Sequence, residues 1–358
     1  MKIAIICFSL TGQETGSRLA QGMREAGMSV VFDKKSKYLP DSVPETAAQW
    51  AGIQFSQADG IIFVGACGIA VRSIAPYIVT KKSDPAVLVV DECGKFVISL
   101  LSGHLGGANE LTDKAAEILN AIPVVTTATD LHNLFAVDVF ARKNGCSIFH
   151  MKAAKEVSAA LLSGEKTGFY SEFPWDGKLP EGLVLCDRTG VPVENDSRTG
   201  RDIPFSVGVA VTIYRDCMPF TSTTQVVPPC LVLGIGCKKD REEEYIFKAA
   251  DRMLDNLGVY REAFCKIASI DLKKEEKGIK ALSEKWQIPF ETFSEEELKM
   301  VQGEFTPSAF VQKVTGVDNV CERSAVLAGS PGRLIQKKIG EMGVTTAVAA
   351  RDWRIHFE

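Results

Sequence analysis

Several short apolar runs, each long enough for one buried strand and each opening on glycine or a polar turn, limit most strongly how this chain can fold. They include Ile3-Ala4-Ile5-Ile6-Cys7, Ile61-Ile62-Phe63-Val64, Ala86-Val87-Leu88-Val89-Val90 and Cys230-Leu231-Val232-Leu233. Runs of this length without polar alternation suit strands covered on both faces. Helix-length stretches lie between them, the clearest from about Gly107 to Asn120. Alternating strands and helices build α/β layers around a mainly parallel sheet.

At 358 residues the chain exceeds one ordinary core. The pattern predicts a multi-domain α/β protein, with N-terminal and C-terminal α/β units on mainly parallel sheets and a smaller central α/β unit. The expected bounds are 1–134, 135–222 and 230–358. In the first unit, Ala86 to Val90 and Phe96 to Leu100 flank Asp91-Glu92-Cys93-Gly94, a hairpin turn signal. Residues 215–229, with Pro219, Pro228-Pro229 and several Ser/Thr, read as a linker. The third unit restarts the α/β pattern. Ser294 followed by Glu297 has the form of a capping box, a helix is expected near 331–341, and a strand from Thr345 to Ala350.

Composition removes several classes of function. A formal net charge of −4 gives nucleic acid no general attraction. No apolar run reaches the ~18–20 residues that cross a bilayer, and the first residues read as a strand rather than a secretion signal. A cytoplasmic protein without membrane or nucleic-acid partners is expected. The 10 cysteines are scattered, none in a Cys-x-x-Cys pair, and there are 4 histidines. Reduced core cysteines are expected, with no metal centre of the protein's own.

Four segments could carry chemistry. Gly65-Ala66-Cys67-Gly68-Ile69-Ala70-Val71-Arg72 follows a buried strand and opens a helix, where glycines admit a ligand and free amides favour an anion; a tight turn with no ligand is the plain alternative. Thr80-Lys81-Lys82-Ser83-Asp84-Pro85 is a basic loop, suited to carboxylates or simply solvated. Ser102-Gly103-His104-Leu105-Gly106-Gly107-Ala108-Asn109-Glu110 gathers three different polar groups between a strand end and a helix start. There His104 could move protons, Glu110 could act as a base if partly buried, and Asn109 could hold a carbonyl oxygen. The plain alternative has Ser102 or Asn109 capping the helix. Gly234-Ile235-Gly236-Cys237-Lys238-Lys239-Asp240 reads as a second strand-to-helix turn. None of these is a dinucleotide fingerprint, a P-loop or a nucleophile elbow. Spacing alone stops at an enzyme or binder for a polar anionic small molecule.

These segments, in this order, resemble the CbiG family of cobalamin-biosynthesis proteins. The resemblance extends through Asp84-Pro85-Ala86-Val87, Val90-Asp91-Glu92-Cys93-Gly94, Ile267-Ala268-Ser269-Ile270-Asp271-Leu272-Lys273, Phe293-Ser294-Glu295-Glu296-Glu297-Leu298 and Gly316-Val317-Asp318-Asn319-Val320-Cys321-Glu322. It implies an N-terminal CbiG domain, a central region and a C-terminal domain similar to CobE. It also implies a hydrolase acting on cobalt-precorrin-5A, a cobalt corrinoid whose ring A acetate is closed as a lactone. Water opens the lactone, C20 with its methyl leaves as acetaldehyde, and cobalt-precorrin-5B remains. Cobalt would arrive within the substrate, so no cofactor is expected.

Under that reading Glu110 or His104 is the base, and Asn109 with the backbone amides of Gly106 and Gly107 donates to the oxyanion. Arg72, Lys81, Lys82 and Lys238-Lys239 would meet the substrate's carboxylates. Gly65, Cys67, Gly68, Ser102, Gly103, Gly106, Gly107, Gly234, Gly236 and Cys237 complete the expected substrate-binding set. The reading is compatible with a homo-oligomer and with hand-over to other enzymes of the pathway. A non-catalytic corrinoid carrier is the competing reading; it would use the same glycines and lysines without His104 or Glu110.

Overall fold

The computed structural model describes residues 1–80, 83–103, 106–126, 134–193, 204–330 and 332–357. The chain divides into two compact units, Met1–Val139 and Phe140–Glu358. Both are α/β, with mainly parallel sheets. Among the described residues no helix is long and apolar enough to cross a membrane.

The first unit contains β1 (Lys2–Cys7), α1 (Leu10–Glu25), β2 (Ser29–Lys34), α2 (Ala47–Gln57), β3 (Gly60–Val64), α3 (Cys67–Ile74), β4 (Ala86–Val90), β5 (Phe96–Leu101), α4 (Ala108–Leu119) and β6 (Ile122–Val124). Its sheet has the order β2-β1-β3-β4-β5-β6. Strand side chains alternate between faces, so Ile3, Ile5, Ile62 and Leu88 pack on α1 and α4 through Leu19, Met23, Leu111 and Leu119. Ala4, Ile6, Ile61, Phe63 and Val87 pack on α2 and α3 through Trp50, Ala51, Ala70 and Ile74. β2, β1, β3 and β4 run parallel, β5 runs antiparallel to β4, and β6 is parallel to β5. The reversal is made by the hairpin read from the sequence. The Asp91 carboxylate accepts the backbone N–H of Cys93, Lys95 and Phe96. Its consequence is positional: β5 and β6 end at the opposite sheet edge from β1, β3 and β4.

The second unit opens in the helix α5 (Val137–Lys143), which spans the division. It continues with β7 (Ser147–Phe149), α6 (Met151–Leu162), β8 (Thr167–Ser171), β9 (Trp175–Asp176), β10 (Leu183–Leu185), β11 (Val207–Val211) and β12 (Ser222–Val227). The sheet order is β10-β8-β11-β12-β7, with β7 alone antiparallel. The linker expected at 215–229 is therefore corrected: it contains β12, an inner strand of this sheet. Ser-Thr-Thr-Gln reads as loop because it is polar, but its polar atoms are satisfied inside the protein. Gln225 is wholly buried; its amide donates to the carbonyls of Tyr214 and Cys217 and its Oε1 accepts the Tyr260 hydroxyl.

The last part comprises β13 (Leu231–Cys237), α7 (Glu243–Leu257), β14 (Phe264–Ile270), α8 (Lys277–Trp286), β15 (Phe290–Phe293), α9 (Glu295–Met300), α10 (Ala309–Thr315), α11 (Cys321–Ala328), β16 (Arg333–Glu341), β17 (Val344–Ala350) and β18 (Ile355–His356). The sheet runs β15-β14-β13-β17-β16. α7 and α8 cover one face through Ile246, Met253, Ile279 and Leu282, and α11 covers the other through Ala325 and Val326. Ser294 and Glu297 form the expected capping box. The helix expected near 331–341 is instead β16, an edge strand. It joins β17 through the two-residue turn Met342-Gly343, both at positive φ (47° and 80°), as a type I′ hairpin requires. Pairing with β17 overrides the local preference of this segment.

Gly234 and Gly236 also differ from expectation, lying inside β13 rather than in a strand-to-helix turn. A Cβ on Gly234 would stand 1.8 Å from the Cys321 carbonyl oxygen, so glycine here lets α11 approach the sheet. Gly234→Ala is expected to cost about 3 kcal/mol by overpacking, lowering the Tm of this unit by roughly 6–12 °C. Thermal melts would check this against Gly340→Ala, whose Cβ would meet only Thr345 Cγ2 at 3.5 Å.

Candidate functional site

The turn between β5 and α4 is tightly built. Ser102 has φ 61°, in the left-handed region, and Gly107 caps α4 at φ 79° without a side-chain bond. A Cβ on Gly106 would lie 2.3 Å from Ser102 Cβ and 2.8 Å from Ser102 O, so only glycine closes the loop. The Ala108 N–H donates to Ser102 O (3.1 Å) and the Asn109 N–H to Gly103 O (3.0 Å). The first amides of α4 are thus used by the turn itself. Asn109 is buried, its Oδ1 accepts the Ser99 hydroxyl at 2.6 Å, and Gly103 sits against its carboxamide. It braces the turn from within. Glu110, by contrast, is exposed, so the burial on which its role as base was conditioned is missing. The Ser102 Oγ is buried with no hydrogen-bond partner among the described residues. His104 lies outside the described residues.

Asp84, quoted in the sequence only as part of the basic loop and the family match, was given no role of its own. It is buried, and its carboxylate accepts the backbone N–H of Val79 and Thr80 at 3.1–3.2 Å. It closes the basic loop, and its carbonyl oxygen would be 3.3 Å from a Cβ on Gly106. The signal available was an Asp at the end of a polar loop, where its carboxylate can bond nearby backbone. Lys81 and Lys82, on that loop, lie outside the described residues.

Gly65, Cys67, Gly68 and Arg72 lie at the other edge of the same sheet, around the start of α3. One strand of five residues separates the two edges, roughly 15 Å at ~3.3 Å per residue. The structure therefore does not bring these four residues together with Ser102–Glu110; the antiparallel hairpin parts them. At their edge β1 and β3 lead to helices on opposite faces, the switch point where open α/β sheets hold ligands. Ser9 caps α1 through the Gly12 N–H (3.0 Å) and donates to Glu92 Oε2 (2.6 Å). Cys67 is exposed in the first turn of α3, and Arg72 donates back to Gly68 O at 2.8 Å.

In the second unit, β13 ends at Cys237, whose thiol is pushed up to about 11 by burial, against the opposing pull of the Lys273 ammonium. Lys273 bonds Glu276 at 2.8 Å, and Glu276 also accepts the Arg241 N–H at 3.0 Å. The Arg241 guanidinium lies over the Tyr245 ring at 3.6 Å. Lys238 is exposed beside Gly343. Arg241, Lys273 and Glu276 were not foreseen; lysines and arginine just beyond Gly-x-Gly-Cys were the available signal. Among the described residues no group of three or more His, Cys, Asp or Glu is placed to hold a metal.

Comparison with known proteins gives collinear matches. Residues 49–130 match the model of the cobalamin synthesis G N-terminal domain, 135–230 that of the cobalamin biosynthesis central region, and 231–349 that of the cobalamin synthesis G C-terminus. The chain is 35% identical over 349 residues to the cobalt-precorrin-5A hydrolase of Salmonella typhimurium, covering 96% of each chain. It is 30% identical over 318 residues to that of Priestia megaterium, covering 83% of this chain and 80% of that one. Protein CobE of Sinorhizobium sp is 31% identical over 121 residues, 33% of this chain and 79% of CobE. These matches define a protein of cobalamin biosynthesis. The chain belongs to the CbiG family.

Proposed function

We propose that this chain is a cobalt-precorrin-5A hydrolase. The observation that carries the reading is 35% identity along 96% of both chains to a protein of that name. The substrate is a cobalt corrinoid, and the cobalt enters with it, so the enzyme needs no cofactor of its own. Water adds to the lactone carbonyl and the ring C–O bond breaks. The freed C20 hydroxyl then loses its proton to a base. The bond between C20 and the macrocycle breaks with its electron pair kept by the conjugated ring, and C20 departs with its methyl as acetaldehyde. A base to activate water, donors to the oxyanion and a proton for the leaving alkoxide are the groups required.

The turn Ser102–Glu110 and the loop closed by Asp84 are the chosen site. Both lie at one sheet edge, and the turn keeps a left-handed serine that the fold holds under strain. We place the activity in the cytoplasm, and a reactive macrocycle suits hand-over to the next pathway enzyme over release into solvent. The test is incubation of the full chain with cobalt-precorrin-5A and assay of acetaldehyde, expected in equal amount to substrate consumed. The exposure of Glu110 favours one other reading, a corrinoid carrier. Tight binding with no acetaldehyde would establish the carrier and overturn the hydrolase.

A further inference from the structure

The segment after β17 does not stay with its own sheet. The Arg351 N–H still donates to Cys230 O at 2.9 Å, just before β13, and the chain then crosses to the central region. Trp353 meets Phe173 edge-on at 5.1 Å. Ile355 is wholly buried, and its N–H donates to Pro174 O at 2.9 Å. There β18 pairs in parallel with β9, Ile355 opposite Trp175 and His356 opposite Asp176. Asn144, the residue after α5, holds the His356 backbone with both ends of its carboxamide. Its Oδ1 accepts the His356 N–H and its Nδ2 donates to His356 O, each at 2.8 Å. Phe357 stacks on Phe140 with ring centroids 5.4 Å apart and meets Phe169 edge-on at 5.5 Å. Phe169, wholly buried in β8, also meets Trp175 edge-on at 6.1 Å.

Magnitudes decide which of these contacts fastens the segment. Asp176 takes Arg354 at 2.9 Å and His356 Nδ1 at 3.6 Å, but all three side chains are more than half exposed. Exposed pairs of this kind contribute little and are screened by salt. A pair of two-residue strands, β9 and β18, does not hold by itself either. The fastening therefore falls to the buried aromatic rings and to the paired hydrogen bonds of Asn144, whose Nδ2 is itself anchored on Phe140 O at 2.9 Å.

We propose that residues 351–357 are a strap that latches α5, β8 and β9 of the central region to the C-terminal sheet. Phe357 completes the cluster of Phe140, Phe169 and Trp175, and Asn144 holds the strap's backbone. The family matches meet at residue 230 and end at 349, so the strap lies beyond both the central and the C-terminal match. The central region's aromatic core is thus closed by residues that follow a different sheet. When the strap is released, Phe169 loses the Phe357 ring and β9 loses its partner strand, so this edge of the central region opens. The C-terminal sheet stays closed, because its core is built from Leu231, Leu233, Ile246, Met253 and Ile267, with Trp353 of the strap at the margin. Local opening of this kind has its own free energy, separate from global unfolding. The latch is independent of the proposed reaction.

Amide hydrogen exchange on the full chain, read peptide by peptide by mass spectrometry, tests this. Asn144→Ala is expected to speed exchange in α5, β8, β9 and the strap by at least about tenfold, the loss of two hydrogen bonds. Phe357→Ala should do so by about a hundredfold or more, as a core aromatic ring is removed. Phe357→Leu, which keeps apolar volume and so folds if the larger truncation does not, should fall between them. Exchange in α7 and β14 should change less than about twofold in every variant. Arg354→Ala should likewise change exchange in α5, β8 and β9 less than about twofold. Faster exchange confined to the strap itself would make it a passenger and overturn the latch. An equal rise in α7 and β14 would also overturn it, showing one undivided cooperative core. A rise in Arg354→Ala matching that of Asn144→Ala would overturn the assignment of the fastening to Asn144 and Phe357.

Discussion

His104→Ala is expected to lower kcat for acetaldehyde release by about 10²- to 10⁴-fold, the range for loss of a positioned acid–base group. KM should change little, because the loss falls in the transition state rather than in binding. The groups near it in sequence are already engaged or turned outward. Ser102 and Gly106 are locked against each other, the Ala108 and Asn109 amides are used by the turn, and the Asn109 Oδ1 is held by Ser99. Glu110 is exposed. Of the groups first assigned to proton transfer, that leaves the imidazole as the stronger candidate. Glu110→Gln is therefore expected to lose less than about tenfold. The comparison is made by steady-state acetaldehyde assay on both variants with circular dichroism to confirm folding. A larger loss in Glu110→Gln than in His104→Ala would transfer the role of base to Glu110.

Strand content was legible where strands are apolar and buried on both faces. β3 and β4 are buried throughout, and no other local structure suits runs of that kind. The turn chemistry was legible too, in the Asp91 hairpin and the Ser294 capping box, because those residues bond their own neighbours in sequence. What stayed hidden depends on distant partners. β12 looks like loop until Tyr260 and the Tyr214–Cys217 carbonyls are seen to satisfy Gln225, and β16 looks helical until its hairpin with β17 is formed.

The site was legible in the same uneven way. Glycines marked the strained turn before α4, yet Gly234 shows that a glycine can serve packing alone. That Gly65–Arg72 and Ser102–Glu110 lie at opposite sheet edges was not legible, because nothing local reveals that one antiparallel hairpin sends the later segment to the other edge. The bracing role of Asp84 and the place of Arg241 stayed hidden, since a lone carboxylate or arginine has no periodic signature. Their meaning lies in what the fold places beside them.

Glu322→Ala is expected to destabilise the second unit by about 3 kcal/mol, from two half-buried backbone donors left without acceptors at ~1–3 kcal/mol each, less what the chain recovers by relaxing. Glu322 is wholly buried in the first turn of α11. Its Oε2 accepts the Thr306 N–H at 2.8 Å and its Oε1 accepts the Lys338 N–H at 2.6 Å. One side chain thus ties the loop before α10 and the edge strand β16 to the helix that packs on Gly234. A negative charge near a helix start is also favoured by the helix dipole. Glutamine in its place offers one acceptor and presents an amide donor to the second N–H, so it should recover only part of the loss. At ~2–4 °C per kcal/mol for a unit of this size, Glu322→Ala lowers Tm by roughly 6–12 °C. Glu284→Ala, an exposed position on α8, should stay within about 0.5 kcal/mol. Melts in which the two variants coincide would show that the loop and β16 are held by their apolar packing and not by this carboxylate.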